Sequence, residues 1–369
     1  MRLVSNEAAG ADSRGCRIGG RIDMDNSYIL ITGANGEIGH GLLKRLCEEG
    51  ASGLVALDLK PLDPALQGLC ADFVQGDVRD TEGLDQLATR FPFSTIYHLA
   101  SVLSTRAERQ PEAAHHVNVD GTLNLLGLAM RLAQRRGAPV KFIYPSSIAV
   151  YGLPDLESKA RLGAISEEQF CLPTTMYGCN KLYCEHLGRY YSRFYRRLER
   201  ASDEPGVDFR ALRFPGLISA DTVPTGGTSD YGPEMLHHAA QGTPYACFVR
   251  SDSALPFMAM PDAIASMLQL EAAPAESLTR MVYNVGSFSL TAGEILALVR
   301  SFFPEAQVSF EPHPGRQAIV DSWPADVDDR AARQDWGWAH RLDRQAAFAD
   351  YLVPAVTARY QTATVGLDG

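Results

Sequence analysis

The stretch that most restricts the fold is "YILITGANGEIGHGLLKRL", residues 28–46. It reads as a strand, a glycine-rich turn and an amphipathic helix, in that order. The glycines Gly33, Gly36 and Gly39 are spaced GxxGxxG. A glycine at Gly33 permits a tight turn, one at Gly36 lets the backbone approach an anion, and one at Gly39 lets the helix pack closely. The N-terminus of the helix then offers unbonded N–H groups and a positive dipole end to a pyrophosphate.

Further β-branched runs come at helix-sized intervals: "LVALDL" (54–59), "FVQGD" (73–77), "TIYHLA" (95–100), "KFIYPS" (141–146) and "DFRALRF" (208–214). Most are apolar on both faces, as strands of a covered parallel sheet must be. Between two of them, Val119, Leu123, Leu126, Met130 and Ala133 mark one helical face, and Gly137 supplies a stop. Such alternation predicts an α/β fold, a Rossmann-type doubly wound parallel sheet.

Past residue 218 the texture changes to Gly, Thr, Pro and Ser, and a smaller mixed α/β C-terminal lobe is expected over 219–254 and 273–360. Residues 26–218 make the dinucleotide domain, and 255–272, a strand then a helix, pack back onto it. "MVYNVGSFSL" (281–290) reads as one strand before a helix that Thr291 and Glu294 open with a capping box. Residues 1–25 read as a disordered leader and 361–369 as a tail. The four arginines of the leader suit a mitochondrial address, but Glu7, Asp12, Asp23 and Asp25 weaken it, and a cytoplasmic location is expected.

Asp58 lies 19 residues past Gly39 and ends the second strand. A carboxylate there accepts from the adenosine ribose diol and repels a 2′-phosphate, so NAD is the expected cofactor. Asp77, closing the third strand, suits the adenine amino group. Among 14 tyrosines only Tyr177 is followed four positions later by a lysine, Lys181. If helical, the two share a face. An ammonium about 4 Å from the phenol is worth roughly 4 kcal/mol at an effective dielectric near 20, at most about 3 pKa units, and the cationic nicotinamide of NAD⁺ pushes the same way. Tyr177 is then the expected general base. Ser146 and Ser147 end a strand upstream, where open sheets place their ligands, and Ser147 is expected to steady a developing alkoxide.

A net charge of −10 argues against a nucleic-acid or anionic-membrane partner, and no apolar run approaches the length of a membrane span. The seven cysteines show no CxxC spacing, which points away from a disulfide framework and towards a reducing compartment. Cys179 and Cys184, either side of Lys181, read as core packing. His115–His116 and His237–His238 lack metal-ligand spacing, so no metal site is expected.

The glycine loop, the strand-end serine and the Tyr–Lys pair resemble the short-chain dehydrogenase/reductase superfamily, extended branch. "DVRD" (77–80) and "NVDGTLNLL" (118–126) fit the same branch. "HLASVLS" (98–104), "YPSSIAVYG" (144–152), "RFPGLIS" (213–219), "GGTSDYGPEM" (226–235), "LPFMAMPDAI" (255–264) and "DSWPADVDDRAARQDWGW" (321–338) resemble the short-chain L-threonine 3-dehydrogenases. The resemblance implies NAD-dependent oxidation of the L-threonine β-hydroxyl to 2-amino-3-oxobutanoate. It implies that Ser104, Ser147, Tyr177, Gly227 and Thr228 face the substrate. It extends the cofactor set to Asn35, Glu37, Ile38, Val78, Leu99, Ala100, Ser101, Phe214 and Pro215, with Lys181 on the ribose. A homodimer through a four-helix interface is implied as well. Thr225, Ser229 and Gly232 depart from that family's usual pattern, and 196–208 looks longer than usual. A nucleoside-diphosphate-sugar epimerase or dehydratase is the alternative, with Arg250, Arg280 and Arg316 to recruit. The helix from 291 and the "DWGW" segment are expected to close over the substrate.

Overall fold

The computed structural model describes residues 27–199, 204–224 and 226–365. The leader 1–25, part of the 196–208 segment, Thr225 and the end of the tail therefore lie outside the described residues.

Six of the expected strands are present within two residues of their predicted bounds: Tyr28–Thr32, Leu54–Asp58, Asp72–Gln75, Phe93–His98, Val140–Ser147 and Val207–Phe214. With Val282–Asn284 they form a seven-stranded sheet, every pairing parallel. The strand Phe93–His98 lies in the middle, and the first strand sits beside it, flanked by the second and the fourth. That neighbourhood is where the strand order reverses, the switch point at which such sheets bind ligands.

Register explains how both faces are buried. Val55, Leu30, Ile96, Phe142 and Phe209 are cross-strand partners in one row. They pack with Leu84 and Leu87 of the helix Thr81–Arg90 and with Leu126, Met130 and Ala133 of the helix Gly121–Arg136. One residue on, Ala56, Ile31, Tyr97 and Ile143 face the other way, onto Leu42, Leu43 and Leu46 of the helix Glu37–Glu48. Period-two alternation sends each row to its own layer.

Gly137 ends the helix Gly121–Arg136 in the left-handed conformation, φ +64°. Leu123, predicted on the inner face, is instead 39% exposed. The turn just before it, His116–Asp120, is a π-turn. The buried residues beyond it, among them Thr122, Leu125, Ala129 and Leu132, define a stripe that leaves Leu123 at its edge.

The helix Met260–Ala272 does pack against the dinucleotide half, through Met260, Ala263, Ile264, Met267 and Leu270. Arg210 fastens its end. This buried guanidinium donates to the carbonyls of Leu270, Glu271 and Ala273 at 2.6, 3.1 and 2.7 Å and pairs with Asp208. It meets the negative end of the helix dipole.

The run "MVYNVGSFSL" is two strands rather than one. Val282–Asn284 completes the main sheet, whereas Phe288–Thr291 pairs antiparallel with Ala254–Ala259, which also pairs parallel with Gly216–Ile218. The glycine and serine between them let the chain change sheets. Residues 282–284 therefore lie in the seven-stranded sheet and 216–218 in the smaller one. The capping box at Thr291 and Glu294 is formed as expected. A second core, including Tyr231, Leu236, Phe257, Ile295 and Val299, fills the lobe.

Replacing Arg210 with methionine leaves Asp208 and three carbonyls without their donor. It is expected to lower the unfolding free energy by about 3–5 kcal/mol, read from the denaturant midpoint.

Candidate active site

The glycine turn has the predicted geometry. Gly33 takes φ +70°, its N–H donates to Leu57 O at 2.8 Å, and a Cβ there would lie 2.6 Å from Ala100 N. Only glycine leaves that crossing open. The helix Glu37–Glu48 begins at Gly36 with no side-chain cap, so its first N–H groups face the cleft without a protein acceptor from a capping side chain. A dinucleotide pyrophosphate fits this end: a bare helix N-terminus over a turn with no side chain to obstruct it.

Asp58 accepts from Asn35 N and Lys60 N, both at 3.0 Å. The side chain of Asn35 donates to the carbonyls of Lys60 and Pro61 and accepts from Asp63 N. Asn35 thus ties the glycine turn to the chain beyond the second strand, holding the ribose-binding candidate in place. Asp77 is occupied with Arg79, and that ion pair keeps its carboxyl below the usual range. The Val78 side chain is buried in the core against the position of Gly121, so only its backbone is open to a ligand.

A cleft of about 240 Å³ opens at the switch point. Of the predicted residues, Gly33, Gly36, Glu37, Ile38, Gly39 and Leu99 line it from the side of the glycine turn. Ser101, Ser104, Ser147, Tyr177 and Lys181 line the middle, with Phe214, Pro215, Gly227 and Thr228 opposite. Asn35, Asp58, Asp77, Val78 and Ala100 do not line it.

Tyr177 and Lys181 stand on one face of the helix Met176–Arg193, which Thr175 caps by accepting from Gly178 N. A Cβ on Gly178 would lie 2.0 Å from Ala149 O, so glycine there lets this helix start against the end of the serine strand. Ser147 lines the cleft beside the Tyr177 phenol. Lys181 Nζ donates to Pro145 O at 2.6 Å and sits 5.4 Å from the Tyr177 ring centroid and 4.6 Å from that of Tyr144.

The electrostatics correct the sequence expectation. Burial raises the Tyr177 phenol above its ordinary value, and only the Ser147 hydroxyl opposes it. Burial also pulls the Lys181 ammonium down to about 8. Desolvation acts against both charged forms.

Buried beside the cleft-lining segment 99–104 is a polar frame that the sequence reading overlooked. His98 bridges Thr32 Oγ1 (2.8 Å) and Thr122 Oγ1 (3.0 Å), and burial lowers its pKa to about 3, so it stays neutral. Asn118 accepts from Ser101 Oγ and Val102 N and donates to Val102 O, fixing the "ASVLS" segment. Both lie in quoted motifs, and their polarity amid apolar residues was the available signal. Ser104 in turn accepts from Thr228 N and Thr228 Oγ1 at 3.3 and 3.0 Å, joining the two halves across the cleft. Asp230 accepts from the amides of Gly226 and Gly227 and lines the cleft beside Ser229.

Other expectations need correction. Trp336 and Trp338 of "DWGW" pack with Tyr283 and Met260 under the sheet, away from the cleft. It is Trp323, of "DSWP", that lines the cleft. Cys184 is buried as predicted, but Cys179 is exposed. Among the described residues, no group of three or more His, Cys, Asp or Glu could hold a metal ion, and no helix is long and apolar enough to cross a membrane.

A family model described as the NAD dependent epimerase/dehydratase family matches residues 29–286. The chain belongs to that family. A curated L-threonine 3-dehydrogenase of Bos taurus, described as mitochondrial, is 33% identical over 324 residues, 87% of this chain and 80% of its own. The holo form of a GalE-like L-threonine dehydrogenase from Cupriavidus necator is 34% identical, with a TM-score of 0.76, covering 90% of this chain and 99% of its own. A monomeric L-threonine 3-dehydrogenase from a metagenome is 33% identical, TM-score 0.78, covering 90% and 99%. Family membership makes this an enzyme that works with a nicotinamide dinucleotide, and the uncapped helix and open glycine turn suit that group.

Glu37 stands at the start of the phosphate-loop helix. Burial, then the charge of Asp230, raises its carboxyl to about 7. Below that value it is neutral; above it a negative charge stands at the uncapped helix N-terminus. The NAD⁺ dissociation constant is therefore expected to rise as pH climbs through about 7. Calorimetric titrations of Glu37→Gln should show a flat profile over the same interval.

Proposed function

We propose that this chain oxidises the β-hydroxyl of L-threonine with NAD⁺, giving 2-amino-3-oxobutanoate, NADH and a proton. The observation that carries the reading is the convergence of Ser147, Tyr177 and Lys181 with Ser104 and Thr228 in one small cleft. Similarity to threonine dehydrogenases over most of the chain supports the choice of substrate.

When bound, the oxidised dinucleotide supplies the hydride acceptor and a positive charge at its nicotinamide ring. Tyr177 accepts the hydroxyl proton. Ser147 holds the substrate oxygen as it becomes an alkoxide and then a carbonyl. Lys181, held by Pro145 O, keeps the ribose and its own charge close to the phenol. Gly227 and Thr228 present the opposite wall, and Ser104 fixes Thr228 from behind. Asp58 is the acceptor for the adenosine ribose.

The sugar-nucleotide alternative is less well supported. Arg250 is held by Asp321 and Asp252, Arg280 by Glu168, and Arg316 donates to Gly227 O. None of the three lines the cleft. We also propose a homodimer through the helices Gly121–Arg136 and Met176–Arg193, whose Leu123, Tyr183 and Tyr190 are exposed. Light scattering checks it: Tyr183→Glu should yield monomers, and a wild-type monomer would rule it out.

NADH formation from L-threonine, L-allo-threonine, L-serine and UDP-galactose tests the reaction directly. L-Threonine should be the best substrate. Tyr177→Phe should lose about 10²–10⁴-fold in kcat while binding NAD⁺ normally. Equal turnover of UDP-galactose, or an active phenylalanine variant, would sink the assignment.

A further inference from the structure

The helix Pro314–Ser322 ends at Trp323, and this tryptophan has a donor with nothing to donate to. Trp323 is only 4% exposed, lines the catalytic cleft, and its indole Nε1–H lacks a hydrogen-bond partner. An indole nitrogen can only donate. Leaving such a group buried and unbonded is costly, and a buried Trp ordinarily finds an acceptor.

The residue is held firmly. Its backbone N–H donates to Val320 O. The preceding Ser322 accepts at its carbonyl from Leu153 N at 2.8 Å, and its hydroxyl pairs with Thr174 Oγ1 at 2.9 Å. Leu153 lies just past the serine strand and Thr174 just before the tyrosine helix, so the indole is referenced to both catalytic elements. The cleft's own carboxylates do not supply the missing acceptor. Asp230 takes two backbone amides, and the indole is bonded to neither it nor Glu37.

Resting on the threonine reading, a process of elimination assigns the ligand atom. The substrate's ammonium cannot accept a hydrogen bond. Its hydroxyl is engaged by Ser147 and Tyr177. The carboxylate is the acceptor that remains. We propose that Trp323 is a specificity-determining residue whose indole N–H donates to the α-carboxylate of the amino-acid substrate. It selects β-hydroxy acids over amino alcohols that lack the carboxylate.

The test compares wild type with Trp323→Phe, which keeps a ring in the site and removes the donor. L-Threonine and 1-amino-2-propanol are the substrates, and NAD⁺ affinity by calorimetry and the melting temperature serve as controls for folding. A hydrogen bond to a charged group corresponds to about a 10- to 100-fold effect. The KM for L-threonine should rise by that factor with kcat held within about threefold. The preference for L-threonine over the amino alcohol, as a ratio of kcat/KM, should shrink equally. An unchanged preference in a folded, NAD⁺-binding variant overturns the inference, as does equal loss on both substrates. If Trp323→Phe fails to fold, Trp323→Leu takes its place and is read in the same way. Trp323→His, which restores a ring N–H, should recover part of the preference, and no recovery in a folded, NAD⁺-binding protein overturns the inference. Wild-type enzyme that forms no NADH from L-threonine defeats the underlying functional reading instead.

Discussion

One buried ion pair sets the rotation of the helix that carries the catalytic candidates. Glu185 and Arg213 are both nearly inaccessible, and the guanidinium donates to both carboxylate oxygens at 2.9 and 2.6 Å. Tyr177, Lys181 and Glu185 recur every fourth residue, so they share one face of the helix Met176–Arg193. Docking Glu185 on the strand Val207–Phe214 therefore aims Lys181 and Tyr177 at the end of the neighbouring strand. Ser146 Oγ also donates to Glu185, which ties in the residue next to Ser147. The remaining Arg213 hydrogens reach Tyr151 OH and Glu167 O, and Tyr151 OH donates to Asn284. Burying charge in this way is tolerable only because every partner is satisfied.

The framework was legible because its causes are local. Strand bounds come from β-branched runs, the turn from Gly33, and the helix stop from Gly137. Each depends on residues within a few positions of one another. The Tyr–Lys spacing and the serine strand end were legible for the same reason, since each needs only one element and its end. Resemblance to threonine dehydrogenases then singled out Ser104 and Thr228, which the fold brings into contact although they lie far apart in the chain.

The features that could not be read were long-range. That "MVYNVGSFSL" divides between two sheets depends on which edges are vacant once the rest of the chain has packed. The fate of the tryptophans is similar. Trp338 and Trp323 are both buried aromatics in one quoted segment, and only tertiary packing sends the first beneath the sheet and the second into the cleft. Asn118 and His98 were visible as polar residues in apolar surroundings, but their partners, Val102 and Thr32, could be named only from coordinates.

Burial also reverses the simplest electrostatic account of the pair. A lysine one turn from a tyrosine suggests a phenol made acidic by its neighbour. In this cleft the loss of solvent is the leading effect, and it moves both groups towards neutrality. Lys181 has its carbonyl acceptor in Pro145, so its field is shared rather than directed wholly at the phenol. On the proposed mechanism, the phenolate needs more positive charge than the protein alone provides, and an oxidised nicotinamide is the group in the reaction that brings it. Competence as a base then depends on the presence of the oxidant.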